Sequence, residues 1–322
     1  MSNNAIDTSK VSFVTVTEAN DGQRVDNFLL SVLRGVPKQL VYRIVRKGEV
    51  RVNKGRVKAD TRVHIGDLVR IPPIRLPERA PIPDIEPKQA QELKNAIIYE
   101  DDGIIAVNKR NGMAVHGGSG ISLGLIEGLR KMRPDHAYLE LVHRLDRDTS
   151  GIILVAKKRS VLTALQRMLV DKAGIRKRYI ALVHGYWPKK IKKVDLPLKK
   201  IEQPNGDRIV VVDETGKASL TRTQHLSQGE HYSLIEAEPI TGRTHQIRVH
   251  CQSQGLSIAG DEKYCDSVQQ GIDRKNKVGR LCLHAYQLTF RHPLSGEVLT
   301  LTAPLEKEFR VTIEKVGCQV AL

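Results

Sequence analysis

The chain has 322 residues, 40% of them apolar and 4% aromatic, with 52 Lys or Arg against 36 Asp or Glu. That length accommodates one large domain with a small companion at roughly 150 residues per domain, and the apolar fraction excludes a largely disordered chain and predicts a core of Val, Ile and Leu. A formal charge of +16 is costly to concentrate without a polyanion partner, so nucleic acid leads. An anionic membrane competes, but no segment approaches the roughly 20 consecutive apolar residues of a spanning helix.

The start, "MSNNAIDTSKVSF", lacks the basic and then apolar build of a secretory signal, which predicts a cytoplasmic protein. Residues 1–21 form an N-terminal segment containing one short strand, "VSFVTV". A small domain is expected over 22–75. Val25, Leu29, Val32 and Leu33 recur at helical spacing and Gly35 ends that pattern. In a second helix, Pro37 suits the first turn, Leu40, Val41, Ile44 and Val45 make one apolar face, and Gly48 is placed to cap the end. "EVRVN" alternates as a strand, "NKGR" turns, and "LVRIPP" closes the unit. Residues 34–75 hold twelve Lys or Arg against three acids. Arg43, Arg46 and Lys47 fall opposite the apolar stripe of the second helix, with Arg51 and Lys54 on the following hairpin. These five are candidate RNA contacts, and the helix–helix–hairpin pattern resembles the S4 RNA-binding domain.

"PPIRLPERAPIPDIEP" carries six of the fourteen prolines, a density that favours an extended tether. The linker is expected over 76–89, with a catalytic domain over 90–322. There "IIYEDDGIIAVNK" reads as two strands joined at Asp102-Gly103, "SLGLIEGLRKM" and "SVLTALQRMLV" as helices, and "HYSLIEAEPI" and "YQLTFRHP" as strands. The helices are too few and too irregular for a doubly wound parallel sheet. The expected fold class is α+β with a mixed, mostly antiparallel sheet.

Cys251, Cys265, Cys282 and Cys318 contain no C-x-x-C pair, so a structural metal is disfavoured and none is expected. His245, His250, Cys251, Cys282 and His284 read instead as strand residues of a core. "YLELV" and "GIILVAKK" are strands, which makes "HRLDRDTSG" the loop between them, and loops at strand ends are a usual place for chemistry. A salt-bridged turn is the bland alternative. The order His-Arg-Leu-Asp is not the His-Arg-Asp-Leu of a protein kinase, and no Gly-rich loop or Asp-Phe-Gly accompanies it. "GGSGISLG" is not a dinucleotide or Walker loop, and no Gly-x-Ser-x-Gly elbow is present.

"HRLDRDTSG" resembles the signature loop of the RluA-type pseudouridine synthases, in which His-Arg-Leu-Asp is followed by two variable residues and Thr-Ser-Gly. The resemblance covers most of the chain. "AVNKRNGMAVHGG" is similar to the family's first motif, although Arg110 stands where a proline is common. "RKRYIALVHG", "GRTHQIRVHCQSQGLSIAGDEKY" and "RLCLHAYQLTFRHPLSG" match its later motifs. With the S4-like unit in front, the chain is similar to the branch of the family that acts on large-subunit ribosomal RNA.

This resemblance implies isomerisation of uridine to pseudouridine, a redox-neutral reaction that moves no phosphate and needs no cofactor or metal. It implies Asp146 as the catalytic carboxylate, attacking the nucleotide or stabilising a sugar cation as in other glycosyl chemistry. Attack on ribose and attack on uracil use the same residue. It further implies Arg248 as the cation that keeps Asp146 ionised, Tyr179 as the aromatic against the flipped uracil, and Arg144 as an RNA contact near the flipped nucleotide. His143 reads as structural and Asp148 as a turn residue. The implied partner is large-subunit ribosomal RNA; a monomer is the default expectation, and no membrane association is expected. An RNA-binding protein with an idle second domain is disfavoured because Asp146, Tyr179 and Arg248 are all intact. A metal-dependent nuclease is disfavoured by the ligand spacing.

Overall fold

In a computed structural model, which describes residues 10–33, 36–74, 85–117, 123–136, 138–203 and 207–320, the chain divides into two units, Met1–Pro81 and Ile82–Leu322. The first contains β1 (Ser12–Thr15), a 3-10 turn at Glu18–Asn20, α1 (Val25–Val32), α2 (Lys38–Arg46), β2 (Arg51–Val52), β3 (Gly55–Arg56) and β4 (Leu68–Ile71). Its antiparallel sheet runs β1-β4-β2-β3. The apolar spacing acts as read: α1 buries Val25, Phe28 and Leu29, α2 buries Val41, Ile44 and Val45, and both stripes meet Val63, Val69 and Ile71 in one core. Gly48 ends α2 at φ +69. Its N–H donates to the Val45 carbonyl and the Glu49 N–H to that of Ile44, both at 2.9 Å, the bond pair that a left-handed glycine closes at a helix end. Asn53 and Lys54, both with positive φ, form the two-residue turn of the β2–β3 hairpin. The stop read at Gly35 lies outside the described residues.

Residues 75–84 of the proline-rich stretch also lie outside them. Pro87 opens α3 (Pro87–Asn95) in its first turn, where a fixed φ and a missing N–H cost nothing. The end of the expected tether, 87–89, is therefore helical.

The second unit continues with β5 (Ile97–Glu100), β6 (Ile104–Lys109), α4 (Leu125–Met132), β7 (Glu140–Leu141), β8 (Ser150–Ala156), α5 (Arg159–Asp171), β9 (Ile175–His184), β10 (Lys193–Asp195), β11 (Leu198–Glu202), β12 (Arg208–Val212), β13 (Leu220–Gln228), β14 (Tyr232–Pro239), α6 (Gln246–Ser253), α7 (Ser267–Asn276), β15 (Leu283–Arg291), β16 (Val298–Thr302) and α8 (Lys307–Lys315). The large sheet runs β10-β13-β14-β9-β15-β8-β6-β5, with β7 on β8 and β16 on β15. β11 and β12 form a separate hairpin. This is the expected α+β fold with a mixed, mostly antiparallel sheet. One pairing, β15 with β8, is parallel: His284 lies opposite Ser150 and Ala285 opposite Gly151.

The fully buried β8 is explained by cover on both faces. Ile153 and Val155 pack with Leu93 of α3 and Leu125 and Leu129 of α4, while Ile152 and Leu154 pack with Val161 and Leu165 of α5. Gly151 has φ +109, and a Cβ there would stand 2.2 Å from the Ala285 carbonyl oxygen. Only glycine lets β8 approach β15 at this seam.

The expected His and Cys strand set divides. His284 lies in β15, with Cys282 immediately before it, but His250 and Cys251 sit in α6 and His245 is its N-cap. The sequence pattern misled because α6 buries residues all round, Gln246 to Cys251 inclusive, which erases the amphipathic signal of a surface helix. No helix among the described residues is long and apolar enough to cross a membrane.

Candidate active site

The loop of residues 143–149 delivers the chain from β7 into the β8–β15 seam, and several groups anchor it. The Leu154 N–H donates to His143 Nε2 at 3.2 Å. Burial first, with the nearby Lys177 charge adding, pushes the pKa of that imidazole down to about 4, so His143 is a neutral pin. Lys109, at the end of β6 and fully buried, donates from Nζ to the carbonyls of Arg147 (2.8 Å), Met113 (2.9 Å) and Arg110 (3.0 Å). Asn111 donates its amide to the Asp148 carbonyl, and Arg147 Nε donates to that of Gly112 at 3.1 Å. The Thr149 N–H closes a turn on the Asp146 carbonyl at 3.2 Å. Ser150 Oγ lies 2.8 Å from His284 Nδ1 and accepts from Arg280 Nη2 at 2.6 Å. The "VNKRNGM" and "HRLDRDTSG" segments are thus one hydrogen-bonded structure that holds the backbone and leaves the Asp146 carboxylate to the cleft.

Arg248 of α6 reaches Asp146 Oδ2 from Nη1 at 3.5 Å, and His245 Nε2 lies 3.7 Å from the same oxygen. The expected pairing of Arg248 with Asp146 is present but long. Its shorter contacts are bidentate: Nε and Nη2 donate to Asp261 Oδ2 and Oδ1 at 2.7 and 2.8 Å. Asp261 has no exposed side-chain surface, whereas Asp146 keeps 24%. Asp261 therefore fixes the guanidinium, and the remaining nitrogen is offered to Asp146. Burial opposes the charge of Arg248, but the hydrogen bonds and charge of Asp261, joined by Asp146, outweigh it and hold the guanidinium above its ordinary pKa. The Tyr264 ring lies beneath that guanidinium, 5.0 Å from centroid to Cζ.

The entry to α6 is equally determined. Gln246 Oε1 accepts from Thr241 Oγ1 (2.6 Å) and the Arg243 N–H (3.1 Å), while Nε2 donates to the Leu220 carbonyl (2.9 Å) and Thr221 Oγ1 (3.0 Å). All its hydrogen-bonding capacity goes into shaping "GRTHQ".

Tyr179 stands on β9 opposite Ala237 of β14 and Ala285 of β15, two small neighbours that leave room over its ring. Burial and then the Asp146 charge push its phenol pKa up, so it remains a neutral hydroxyl. A cavity of about 580 Å³ opens here between Asp146, Tyr179, Lys177, His245 and Arg248, with the exposed Arg144 on its wall. A second hollow of about 1030 Å³ shares Arg144, Asp146, His245 and Arg248, then continues past Arg147, Lys263 and Arg274. Asp146 stands where an aromatic-floored pocket meets a charged cleft.

In the first unit Arg43, Arg46, Lys47 and Lys54 are exposed and Arg51 is half-buried. None of the five has a carboxylate partner among the described residues. Arg43 and Arg46 edge a hollow of about 670 Å³ with Tyr42 and Lys58. Strand register places Arg51 directly opposite both Arg56 and Arg70, a row of like charges that disfavours the free sheet and that an anion relieves.

Sequence reading missed Lys109, His245, Asp261 and Tyr264 as members of the site. Lys109 left a signal as a lysine ending the apolar strand "IIAVN", and His245, Asp261 and Tyr264 all fall within the motif stretch "GRTHQIRVHCQSQGLSIAGDEKY". Among the described residues His184, Cys265 and Asp273 bring three ligand-type atoms within 4.8 Å of one another. The Asp273 carboxylate already accepts from Tyr232 Oη (2.9 Å) and the Gly260 N–H (2.8 Å) and contacts His184 Nε2 at 3.1 Å. Burial holds the Cys265 thiol up at about 12. The group is a hydrogen-bonded core network.

Residues 103–253 match the family described as RNA pseudouridylate synthase, and residues 23–69 the S4 domain. The chain is 50% identical over 319 residues to ribosomal large subunit pseudouridine synthase C of Haemophilus influenzae, covering 98% of each chain. It is 48% identical over 315 residues to the Escherichia coli (strain K12) protein of the same name, covering 96% of this chain and 98% of that one. Among solved structures, human RNA pseudouridylate synthase domain containing 4 superposes with a TM-score of 0.59 at 25% identity, covering 72% of this chain and 96% of the human one.

Proposed function

The chain belongs to the RNA pseudouridylate synthase family, and from that premise we propose that it isomerises specific uridines of large-subunit (23S) ribosomal RNA to pseudouridine, with Asp146 as the reacting carboxylate and no cofactor. The observation that carries this reading is convergence. Asp146, Tyr179 and Arg248 come from a loop, a strand and a helix far apart in sequence, yet they face one pocket.

The reaction breaks the N1–C1′ glycosidic bond and forms a C5–C1′ bond; the C5 proton leaves and a proton is gained at N1, so nothing is oxidised or reduced. Such chemistry needs an ionised carboxylate beside the nucleotide. Arg248 offsets the cost of keeping that charge in a partly dry pocket. Tyr179 offers a flat apolar face to the uracil with a neutral hydroxyl at its edge, and a base that reaches it must leave its stack. Arg144, exposed on the shared wall, meets the RNA beside the extruded nucleotide. The charged hollow continues toward Arg147, Lys263 and Arg274, where a phosphate backbone finds cations.

The S4-like unit, proposed over 22–75, adds phosphate contacts through Arg43, Arg46, Lys47, Arg51 and Lys54. Such contacts position RNA without reading its bases, so target choice rests on RNA shape and the unpaired uridine. The catalytic domain is proposed over 90–322. The protein acts as a monomer in the cytoplasm, where its RNA is made.

Asp146→Asn tests the reading. Pseudouridine formation in unmodified 23S rRNA falls on the order of 10⁴-fold, the scale seen for other single essential groups, while rRNA affinity holds. A variant that modifies rRNA at the wild-type rate overturns the assignment.

A further inference from the structure

We infer that His245 is a further working residue of this reaction: a neutral imidazole that donates from Nε2–H to Asp146 Oδ2, in a tautomer fixed by Tyr264, and so leaves Oδ1 as the oxygen that meets the nucleotide. The inference rests on Asp146 being the reacting carboxylate.

Three contacts define the relay. The Val210 N–H of β12 donates to Tyr264 Oη at 3.1 Å, and Tyr264 Oη lies 2.7 Å from His245 Nδ1. A phenol that already accepts one hydrogen bond in a buried place satisfies its own proton by giving it to Nδ1, since an unpaired buried O–H is costly. Nδ1 is then the acceptor, and the ring proton sits on Nε2, the nitrogen facing Asp146 at 3.7 Å. The backbone supports this arrangement. His245 is the α6 N-cap in the left-handed region, φ 53, a strained conformation for a residue with a side chain. It aims the ring into the cleft between the fully satisfied Gln246 and the exposed Thr244.

His245 and Arg248 converge on one oxygen. Among the described residues, every hydrogen-bond or ion-pair contact of the Asp146 carboxylate is to Oδ2. At 3.5 and 3.7 Å these contacts are longer than firm hydrogen bonds, as is common before substrate closes a site. Tightening both on Oδ2 when the nucleotide enters turns Oδ1 to the substrate. Burial lowers the imidazole pKa, with the Asp146 charge opposing it and the Arg248 charge assisting. Lys263, Asp261 and the Tyr264 hydroxyl are the other ionisable groups that face the ring. Protonation converts the fixed donor into a cation that pairs with Asp146 and dulls its attack.

The test uses single-turnover pseudouridine formation on an rRNA transcript across pH, with transcript affinity measured in parallel. His245→Gln places an amide donor near Nε2 that cannot titrate. It retains the rate within about tenfold and loses the acid limb that the wild type shows below the imidazole pKa. His245→Ala loses about 10- to 100-fold, the rate equivalent of one hydrogen bond to a charged group, with transcript affinity unchanged. Tyr264→Phe removes the donor that favours neutral Nδ1, so the acid limb moves to higher pH. A wild-type rate and pH profile in both His245→Ala and Tyr264→Phe overturns the relay. If Asp146→Asn is inactive in the same assay, that failure concerns His245 alone; if Asp146→Asn is active, the parent reading has failed.

Discussion

The basic face of the first unit and the buried site cations of the second are held in opposite ways. In the first, Arg43, Arg46, Lys47 and Lys54 stand in solvent without acidic partners among the described residues, and Arg51 faces two other arginines across its sheet. In the second, Arg248 is 9% exposed and clasped by a carboxylate with no exposure at all, while Lys109 is sealed among three carbonyls. Exposed charge acts as a sum, so no single member is essential. Buried charge acts as geometry, so losing one partner strands the other. On the proposed function, binding is therefore distributed over exposed charges, whereas chemistry is concentrated in a few mutually dependent groups.

The contrast breaks most readily at Asp261. Asp261→Asn removes the charge and turns an N–H₂ or a single carbonyl toward a guanidinium that cannot lose its proton, leaving Arg248 buried with only its long contact to Asp146. A loss of about 3–5 kcal/mol in unfolding free energy by urea titration is expected, along with most of the single-turnover rate. A loss under about 1 kcal/mol means that Arg248 is held by packing against Tyr264 and not by its carboxylate.

Lys109 sharpens the comparison through pH. Burial, opposed by the charges of Glu306, Asp148 and Asp146, lowers its pKa from 10.5 to about 8. Its three hydrogen bonds use all three ammonium protons, so as pH rises through 8 one carbonyl under the catalytic loop loses its donor. The single-turnover rate is expected to fall with an apparent pKa near 8. Stability moves the other way. Between about pH 8 and 10.5 the unfolded chain binds the proton that the folded chain has released, so this residue adds stability as pH rises through that window. A rate and a urea midpoint that decline together over pH 8–10 count against the assignment.

These two residues also show what sequence can carry. The fold class was readable because α1 and α2 have a helical periodicity that matches their burial and β6 and β8 are continuous runs buried on both faces, and the loop 143–151 was readable because its residue order is specific. Asp261 was not, since a carboxylate thirteen positions from Arg248 becomes its partner only when the chain turns back after α6. His245, His250 and Cys251 resemble strand residues in the sequence because a helix buried on every side shows no polar face. The Arg56–Arg51–Arg70 row needed strand register, which composition does not encode.

The smallest effects belong to the first unit, where the comparison requires that stability and catalysis stay nearly still while binding changes. Arg43, Arg46 and Lys54 replaced together by Gln remove three of the proposed phosphate contacts, so the slope of log affinity against log salt is expected to flatten by about 2–3 at roughly 0.7–0.9 per contact. The unfolding free energy of these surface changes stays within about 0.5 kcal/mol, and the rate on saturating rRNA is unchanged. Arg51→Gln separates the two roles of charge within one residue. It relieves repulsion from Arg56 and Arg70 and gains about 0.2–1 kcal/mol at low salt, yet it weakens rRNA binding. If Arg51→Gln instead destabilises the unit and leaves the salt slope unaltered, Arg51 is a structural residue and the basic row is not a binding surface.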